Sequence, residues 1–394
     1  MDRTKIRYHN KSDKPDNIVK RENDIIEMCL AIESELPLFM KSFFVYLKTS
    51  VLPMSRLAYL RDIRFFCRYM ISETSLTSAS EIAAIKASEF NAVTAKDINL
   101  FIGDYCTRYY VENKNSKGTT VYENGNRSLA RKKSTLSVLF KYLYRDEIIE
   151  NNITDAFNPI KLPKPGEKEI KTLEEDEVKR MLDAAISGSN MTKKEMEFWR
   201  KTRKRDVAIL MLFVTYGLRL NELQQLNMTS FNFQRGEFKI YRKRGKESAM
   251  PLNKSVMKAL KDYLENERPS ADKIPIEHKD ALFLSLQGGR MTERAIRELV
   301  KKYSSIGMNT SRSSGYSPHK LRATAATALI NQGNSIFDVQ NLLDHENITT
   351  TQLYAAHKKH SKQELIRNFE WMDEFDKYSG SGNDKKGGGK KNAE

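Results

Sequence analysis

The strongest constraint on the fold is a proline-rich break near the middle of the chain. Three prolines, one glycine and several charged residues lie between positions 158 and 171. Closely spaced prolines remove backbone donors and favour extended chain, so neither a helix nor a strand is expected to cross this stretch. Because 394 residues also exceed the usual size of one hydrophobic core, we predict two domains, at 36–157 and 172–377, joined by a linker at 158–171. Residues 1–35 are predicted to form an N-terminal extension, and 378–394 a disordered tail rich in glycine and lysine.

The charge of the chain indicates a polyanionic partner. Lysine and arginine number 67 against 51 acidic residues, a net charge of +16, and nucleic acid is favoured over a membrane because no amphipathic anchor accompanies this excess. No apolar run is long enough to span a bilayer, and the first residues do not resemble a signal peptide. Cys29, Cys67 and Cys106 are scattered and outside any C-x-x-C pattern, which favours reduced thiols in the cytoplasm.

The helices predicted in the first domain carry basic faces. An apolar stripe recurs at helical spacing from Leu60 to Met70, and arginines recur on another side of the same helix, where solvated surface explains them about equally well. A second helix near 128–144 begins with cations that oppose the helix dipole, and a phosphate backbone would compensate them. The polar stretch 111–126 between these helices is predicted to be a loop. The candidate DNA-contact residues of this domain are Arg61, Arg64, Arg68, Arg131, Lys132 and Lys133.

The second domain is predicted to be mainly helical with one small sheet. Residues 206–214 are nearly all apolar and are expected to form a buried helix that ends at Gly217. A basic stretch at 187–205 precedes this helix and is interpreted as an insertion. Two short strands, at 238–241 and 248–252, flank a charged turn.

Two motifs in this domain carry cations that could bind a phosphate. Arg219 follows Gly217 at a helix start, and Glu222 lies on the same face, where a carboxylate can hold a guanidinium by a bidentate pair. The charged turn contains Lys243, and a hairpin tip could insert this lysine into a groove. Its neighbours Arg242 and Arg244 are candidate DNA contacts. Taken alone, a surface ion pair and a solvated basic turn explain these motifs better.

Two later motifs add histidines and a tyrosine. His319 and Arg322 are three residues apart, so on a helix they share a face and could hold both the proton and the charge of a phosphate. His345 is followed nine residues later by Tyr354, beyond a threonine-rich turn. A single H-x-x-R pair is common, and a single tyrosine is more often a core aromatic than a nucleophile.

Considered together, the six positions are hard to explain as structural coincidences. They occur in the order Arg219, Lys243, His319, Arg322, His345 and Tyr354. This order, with the Gly-Leu-Arg-x-x-Glu-Leu, Pro-His-x-Leu-Arg and Leu-x-His…Tyr boxes, resembles the tyrosine recombinase (phage integrase) family over about residues 36–377. The helical extension and the basic stretch at 187–205 are similar to the layout of single-chain Xer recombinases.

The resemblance implies one nucleophile and two proton-transfer residues. Tyr354 would attack the scissile phosphate and give a 3′-phosphotyrosyl link and a free 5′-hydroxyl, on the way to a Holliday junction. Lys243 would protonate the departing 5′-oxygen, and His319 would help to deprotonate the tyrosine. Arg244 stands at a turn position that is often glycine in the family, so Lys246 stays open as an alternative to Lys243.

The remaining family positions would stabilise charge on the phosphate. Arg219 and Arg322 would clamp the non-bridging oxygens, His345 would donate a further hydrogen bond, and Glu222 would support Arg219. Two arginines would do the electrostatic work that metals do in nucleases, and the phosphotyrosine would conserve the bond energy for rejoining. We therefore expect no metal, no ATP and no other cofactor.

The resemblance also implies an architecture and partners. The fold class would be mainly α, a two-domain DNA clamp in which a SAM-like helical core-binding domain and a mainly helical catalytic domain with a small antiparallel β-sheet close around duplex DNA. The DNA would carry inverted-repeat core sites, each bound by a dimer, with a homotetramer on two sites. The final helix, at about 362–377, would dock on a neighbouring subunit. The location would be the cytoplasm of a bacterium, at the nucleoid, with no membrane partner.

Three alternatives remain open from the sequence. A type IB topoisomerase shares this chemistry but relaxes supercoils as a monomer. A catalytically idle DNA-binding regulator and a purely structural basic protein would form no covalent adduct with DNA. Neither the target sequence nor the role among chromosome dimer resolution, integration or excision and inversion follows from one chain.

Overall fold

The computed structural model describes residues 14–112, 118–163, 171–242 and 245–344. The chain divides into two units, Met1–Lys164 and Pro165–Glu394. Both units are mainly helical and each contains a small antiparallel sheet, which confirms the predicted fold class. The helix predicted at 362–377 and the tail after it lie outside the described residues. No helix within the described ranges is long and apolar enough to cross a membrane.

The first unit is a set of helices with one β-hairpin. Its elements are α1 (Asp16–Glu33), α2 (Lys41–Ser50), α3 (Pro53–Glu73), α4 (Ala87–Asn91), α5 (Ala95–Leu100), β1 (Arg108–Glu112), β2 (Thr119–Glu123) and α6 (Asn126–Arg145).

The core of the first unit is built around α3. The apolar stripe predicted from Leu60 to Met70 is fully buried. Phe66 on the same helix packs edge-on against the ring of Phe101, with centroids 5.1 Å apart. Helix α1 packs against α3 and buries Cys29 in this core. Residues 16–33, predicted to belong to an extension, are therefore part of the first unit.

The stretch predicted as a loop at 111–126 instead contributes strand β2. It pairs antiparallel with β1, with Tyr109 opposite Tyr122. The two rings stack 5.3 Å apart, and Tyr109 also contacts the ring of Phe65 at 4.9 Å. Cross-strand aromatic contacts stabilise a hairpin even where the surrounding residues are polar. The composition of the stretch does not show these contacts, so the composition alone suggested a loop.

A buried carboxylate compensates the cations at the start of α6. Asp62 accepts hydrogen bonds from Thr135 Oγ1 at 3.1 Å, from Lys132 Nζ at 3.2 Å and from Arg131 Nη1. Lys132 is itself buried, and its Nζ lies 4.9 Å from the centroid of the Phe65 ring. Part of the positive charge that opposes the dipole of α6 is therefore offset within the unit.

Replacing Asp62 by alanine is expected to destabilise the protein by about 3 kcal/mol, because Lys132 would stay buried without a carboxylate. The double variant Asp62→Leu with Lys132→Met removes both charges and should recover most of this loss. Urea unfolding of the full chain, followed by circular dichroism, measures both changes. A loss below about 1 kcal/mol for Asp62→Ala, the size of a surface ion pair, would contradict the role given to Asp62.

The second unit packs its helices mainly against one another and also contains a three-stranded sheet. Its elements are α7 (Glu175–Ser187), α8 (Lys193–Tyr216), α9 (Leu220–Gln224), β3 (Phe231–Asn232), β4 (Glu237–Tyr241), β5 (Glu247–Pro251), α10 (Lys254–Asn266), α11 (Glu293–Gly307), α12 (Pro318–Asn331) and α13 (Ile336–Leu343). The strands pair antiparallel in the order β3-β4-β5.

The basic stretch interpreted as an insertion is mostly the first half of α8. This helix is 24 residues long and begins after Thr192, whose side chain accepts a hydrogen bond from the backbone of Glu195. Arg205 is buried and donates from Nη2 to the carboxylate of Asp206 at 2.8 Å. The second half of the helix is apolar, as predicted, and leads directly into the candidate site.

Candidate active site

Arg219 is held at the junction between α8 and α9. Helix α8 ends at Tyr216, and Gly217 follows with φ +56°, a left-handed conformation that glycine adopts without steric cost. Arg219 then becomes the N-cap of α9. Its backbone N–H donates to Oε2 of Glu222 at 2.8 Å, and its Nη1 donates to Oε1 at 2.7 Å. Because Glu222 is buried and Arg219 is partly exposed, the carboxylate orients the guanidinium and leaves part of it open to a ligand.

Arg322 is buried on α12 and faces the same junction. Helix α12 begins with Pro318, whose missing N–H has no cost in the first turn. The Nη1 of Arg322 donates to the carbonyl of Gly217 at 2.7 Å, and its Nη2 donates to the carbonyl of Leu343. Arg219 and Arg322, which are predicted to act together, therefore meet at the junction between α8 and α9. Arg219 belongs to this junction, and Arg322 binds the carbonyl of Gly217 within it.

Three guanidinium groups meet at the C-terminal end of α13. Carbonyls at the end of a helix have no intrahelical donor and carry partial negative charge, so cations bind there favourably. Three consecutive carbonyls accept one guanidinium each: Leu342 from Arg242 at 2.7 Å, Leu343 from Arg322, and Asp344 from Arg219 at 2.9 Å. The three arginines, far apart in sequence, thus form one cluster of positive charge.

His319 lies one turn before Arg322 on α12. Loss of hydration, together with the positive charges of Arg322, Lys320 and Arg219, lowers the pKa of His319 below its usual 6.5. The imidazole is therefore neutral at physiological pH and can accept a proton. This property suits the base role that the family resemblance implies for His319.

Arg242 and Asp344 are site residues whose positions the sequence did not reveal. Arg242, predicted as a DNA contact, is buried, and its Nε and Nη1 have no hydrogen-bond partner among the described residues. Burial lowers the pKa of Arg242. Asp344 pairs with Lys246, Nζ to Oδ1 at 3.1 Å. Burial opposes ionisation of Asp344, but the hydrogen bond from Lys246 and the charges of Arg242, Lys246 and Arg219 together lower its pKa.

Four predicted site residues lie outside the described residues: Lys243, Arg244, His345 and Tyr354. In the chain, the first two directly follow Arg242, and His345 directly follows Asp344. Within the described ranges, no three His, Cys, Asp or Glu side chains cluster as a metal site would require.

The candidate DNA contacts of the first unit differ in how free their charges are. Arg61 and Arg68 are exposed on α3, whereas Nη1 of Arg64 donates to both oxygens of Glu35, at 2.9 and 3.0 Å.

On α6, Arg131 is exposed but bonded to Asp62, and Lys132 is buried, as described above. Lys133 donates to the carbonyls of Phe157 and Asn158, at 3.2 and 2.8 Å. Arg61 and Arg68 are therefore the better candidates for a phosphate backbone.

The second unit matches a known family model. Residues 171–361 match the model of the phage integrase family. The chain is 35% identical over 269 residues to tyrosine recombinase XerC of Natranaerobius thermophilus, a match that covers 68% of this chain and 79% of that protein. It is 28% identical over 340 residues to XerC of Oceanobacillus iheyensis, covering 85% of this chain and 97% of the relative.

Solved structures of recombinases share the fold. XerH site-specific recombinase bound to palindromic difH substrate matches with a TM-score of 0.57 and 18% identity, covering 89% of this chain and 90% of that chain. A lambda integrase dimer bound to a COC′ core site matches with a TM-score of 0.53 and 15% identity, covering 80% and 93%. The 35% identity to tyrosine recombinase XerC supports a DNA-cleaving and rejoining enzyme. The chain belongs to the phage integrase family of tyrosine recombinases.

Gly217 is expected to tolerate no side chain. A Cβ there would lie 2.7 Å from Cδ2 of the buried Leu343, and φ is left-handed as well. Gly217→Ala should therefore destabilise the protein by about 3 kcal/mol, from backbone strain and overpacking together. Gly333→Ala is the matched control, because Gly333 has φ +91° but no atom within 4 Å of its Cβ position. It should cost only about 1 kcal/mol.

Thermal unfolding of the two full-length variants measures the difference. Equal losses of stability at the two positions would contradict the close contact between Gly217 and Leu343.

Proposed function

We propose that this protein is a site-specific recombinase that cuts and rejoins duplex DNA through a 3′-phosphotyrosyl intermediate. The observation that carries the proposal is the convergence of Arg219 and Arg322 on the end of α13, directly before His345 in the chain. Family membership supports the same reaction. Relatives named tyrosine recombinase XerC and a solved XerH bound to difH substrate support site-specific DNA as the substrate.

The proposed cleavage step is an exchange of one phosphate ester for another. The phenolic oxygen of Tyr354 forms a bond to the scissile phosphorus while the bond from phosphorus to the 5′-oxygen breaks. The phenol proton passes to His319, and Lys243 gives a proton to the departing 5′-oxygen. In the second step, the 5′-hydroxyl of a partner strand attacks the phosphotyrosine, the tyrosine leaves with a proton, and exchange of one strand pair yields a Holliday junction.

Fixed positive charge would lower the barrier of both steps. Arg219 and Arg322 are oriented before DNA binds, by Glu222 and by the Gly217 carbonyl. Donors that need no rearrangement stabilise a pentavalent phosphorane more than flexible ones do. His345 would add a further hydrogen bond. We propose that these groups replace a metal ion, and that the phosphotyrosine bond replaces ATP as the energy source for rejoining.

The proposed partner is duplex DNA with inverted-repeat core sites. Support comes from the solved relatives, one bound to a palindromic substrate and one present as a dimer on a core site. We propose a dimer on each site, a homotetramer on two sites, and docking of the segment at 362–377 on a neighbouring subunit. The core-binding role falls to residues 36–157, with 158–171 as linker and 172–377 as the catalytic domain. The likeness to XerC makes chromosome dimer resolution at the nucleoid of a bacterium the first cellular role to test.

A type IB topoisomerase is the second candidate function, since it uses the same arginine, lysine, histidine and tyrosine chemistry. A plasmid with two target sites separates the two functions. Recombination between the sites supports the first proposal, and relaxation of supercoils without recombination supports the second.

The direct test is capture of a covalent adduct. Wild-type protein mixed with a library of nicked duplexes should remain attached to a 3′-phosphate on one class of sequences, without magnesium or ATP. Tyr354→Phe is the matched control, because it keeps the ring and removes the nucleophile, and it should capture nothing. Denaturing gels followed by sequencing of the captured strands measure both. A break that needs magnesium, or that leaves no protein on the DNA, would contradict the proposal.

The pH dependence of adduct formation tests the role of His319. Because its pKa is lowered below 6.5, the neutral base should persist at physiological pH and be lost only as the pH falls through this lowered value. The rate should therefore be constant near neutrality and decline on the acid side of a series from about pH 5 to 8. His319→Gln should be slower and should lack this acid limb. The same decline in His319→Gln would assign it to another group.

A further inference from the structure

Asp344 occupies a backbone conformation that most residues avoid. It follows α13 with φ +51°, in the left-handed region that glycine adopts freely and that aspartate tolerates better than most residues. Its carbonyl accepts from Arg219 Nη2, and its carboxylate accepts from Lys246 Nζ. A glycine would give the same backbone without strain. The carboxylate therefore requires an explanation of its own.

The turn between β4 and β5 is fastened to α13 at both of its ends. The backbone N–H of Arg242 donates to the carbonyl of Lys246 at 2.8 Å, which closes the turn. The side chain of Arg242 then donates to the Leu342 carbonyl at 2.7 Å, and the side chain of Lys246 to Asp344 at 3.1 Å. The two residues that close the turn thus also bind the end of α13.

Stability alone does not account for the ion pair between Lys246 and Asp344. The side chain of Lys246 is 68% exposed, and exposed ion pairs contribute little to stability. Precise placement of a reacting group, in contrast, has a large effect, since a displacement of about 1 Å can reduce a rate by about a hundredfold. Lys243 follows Arg242 directly in the chain, so the fastened turn is the one that carries the proposed acid.

We propose that Asp344 is a positioning residue for strand cleavage: by binding Lys246, its carboxylate fixes the β4–β5 turn against α13 and so aligns Lys243 with the departing 5′-oxygen. This inference rests on the proposed function. It also separates the two candidate acids, because the engagement of Lys246 by Asp344 assigns the proton transfer to Lys243.

The test compares two leaving groups. One nicked duplex carries the ordinary phosphate, and a second carries sulfur in place of the bridging 5′-oxygen. A thiolate leaves without protonation, because a thiol has a pKa near 8.5, far below that of an alcohol. Asp344→Gly removes the carboxylate and suits the left-handed backbone. It should form the adduct about tenfold more slowly than wild type on the ordinary duplex and at the wild-type rate on the sulfur duplex.

Four further variants make the result specific. Lys246→Ala should reproduce Asp344→Gly, and the double variant should be no slower than either, as expected for one interaction. Lys243→Ala should lose far more, about a hundredfold or more on the ordinary duplex, and should also be rescued by sulfur. Glu247→Gln is the matched control, because it breaks a pair with Lys239, 2.7 Å long and also on this hairpin, and it should act as wild type.

The outcomes are distinct. Equal rates for Asp344→Gly and wild type on the ordinary duplex, or equal slowing on both duplexes, would overturn the positioning role. A larger loss for Lys246→Ala than for Lys243→Ala would make Lys246 the acid and would also overturn it. Should Asp344→Gly fail to fold, Asp344→Asn, which keeps the shape and removes the charge, must show the same rescue. A wild type that forms no adduct on either duplex would instead refute the proposed function.

Discussion

The candidate active site depends on the attraction between guanidinium groups and the carbonyls at the end of one helix. The last carbonyls of α13 have no partners within the helix, and three arginines from α12, the start of α9 and the end of β4 supply them. Without these partners, the three positively charged guanidinium groups at this helix end would repel one another. The helix end, with Glu222 and Asp344, offsets that repulsion and holds the arginines in place before any phosphate arrives.

Some of the basic side chains of this chain bind partners within the protein. Lys132 and Arg205 are buried against carboxylates, and Lys133 binds backbone carbonyls. The net charge of +16 still favours a polyanionic partner. Which cations face that partner is decided by packing, so a count of basic residues overstates the binding surface. Arg61 and Arg68 keep their exposure.

The sequence predicted best those features that depend on neighbours in the chain. The stripe on α3, the apolar half of α8 and the pairing of Arg219 with Glu222 all follow from helical periodicity. The roles of Lys132 and Arg242 could not be predicted, because their partners, Asp62 and the Leu342 carbonyl, are 70 and 100 residues away. For the same reason, the sequence did not reveal that two of the cations at the start of α6, Arg131 and Lys132, bind an internal carboxylate.

Recognition of α13 through its backbone has a consequence for how this protein can change over evolutionary time. Carbonyl oxygens are the same in every residue, so the hydrogen bond from Arg242 places no demand on the amino acid at 342, whereas at 344 the left-handed backbone and the ion pair with Lys246 do. The direction of the carbonyls, however, is set by helix phase, and one residue added or removed within α13 would rotate them by about 100°. Sequence drift at 342 is therefore compatible with the arginine cluster, whereas a change in the length of α13 is not.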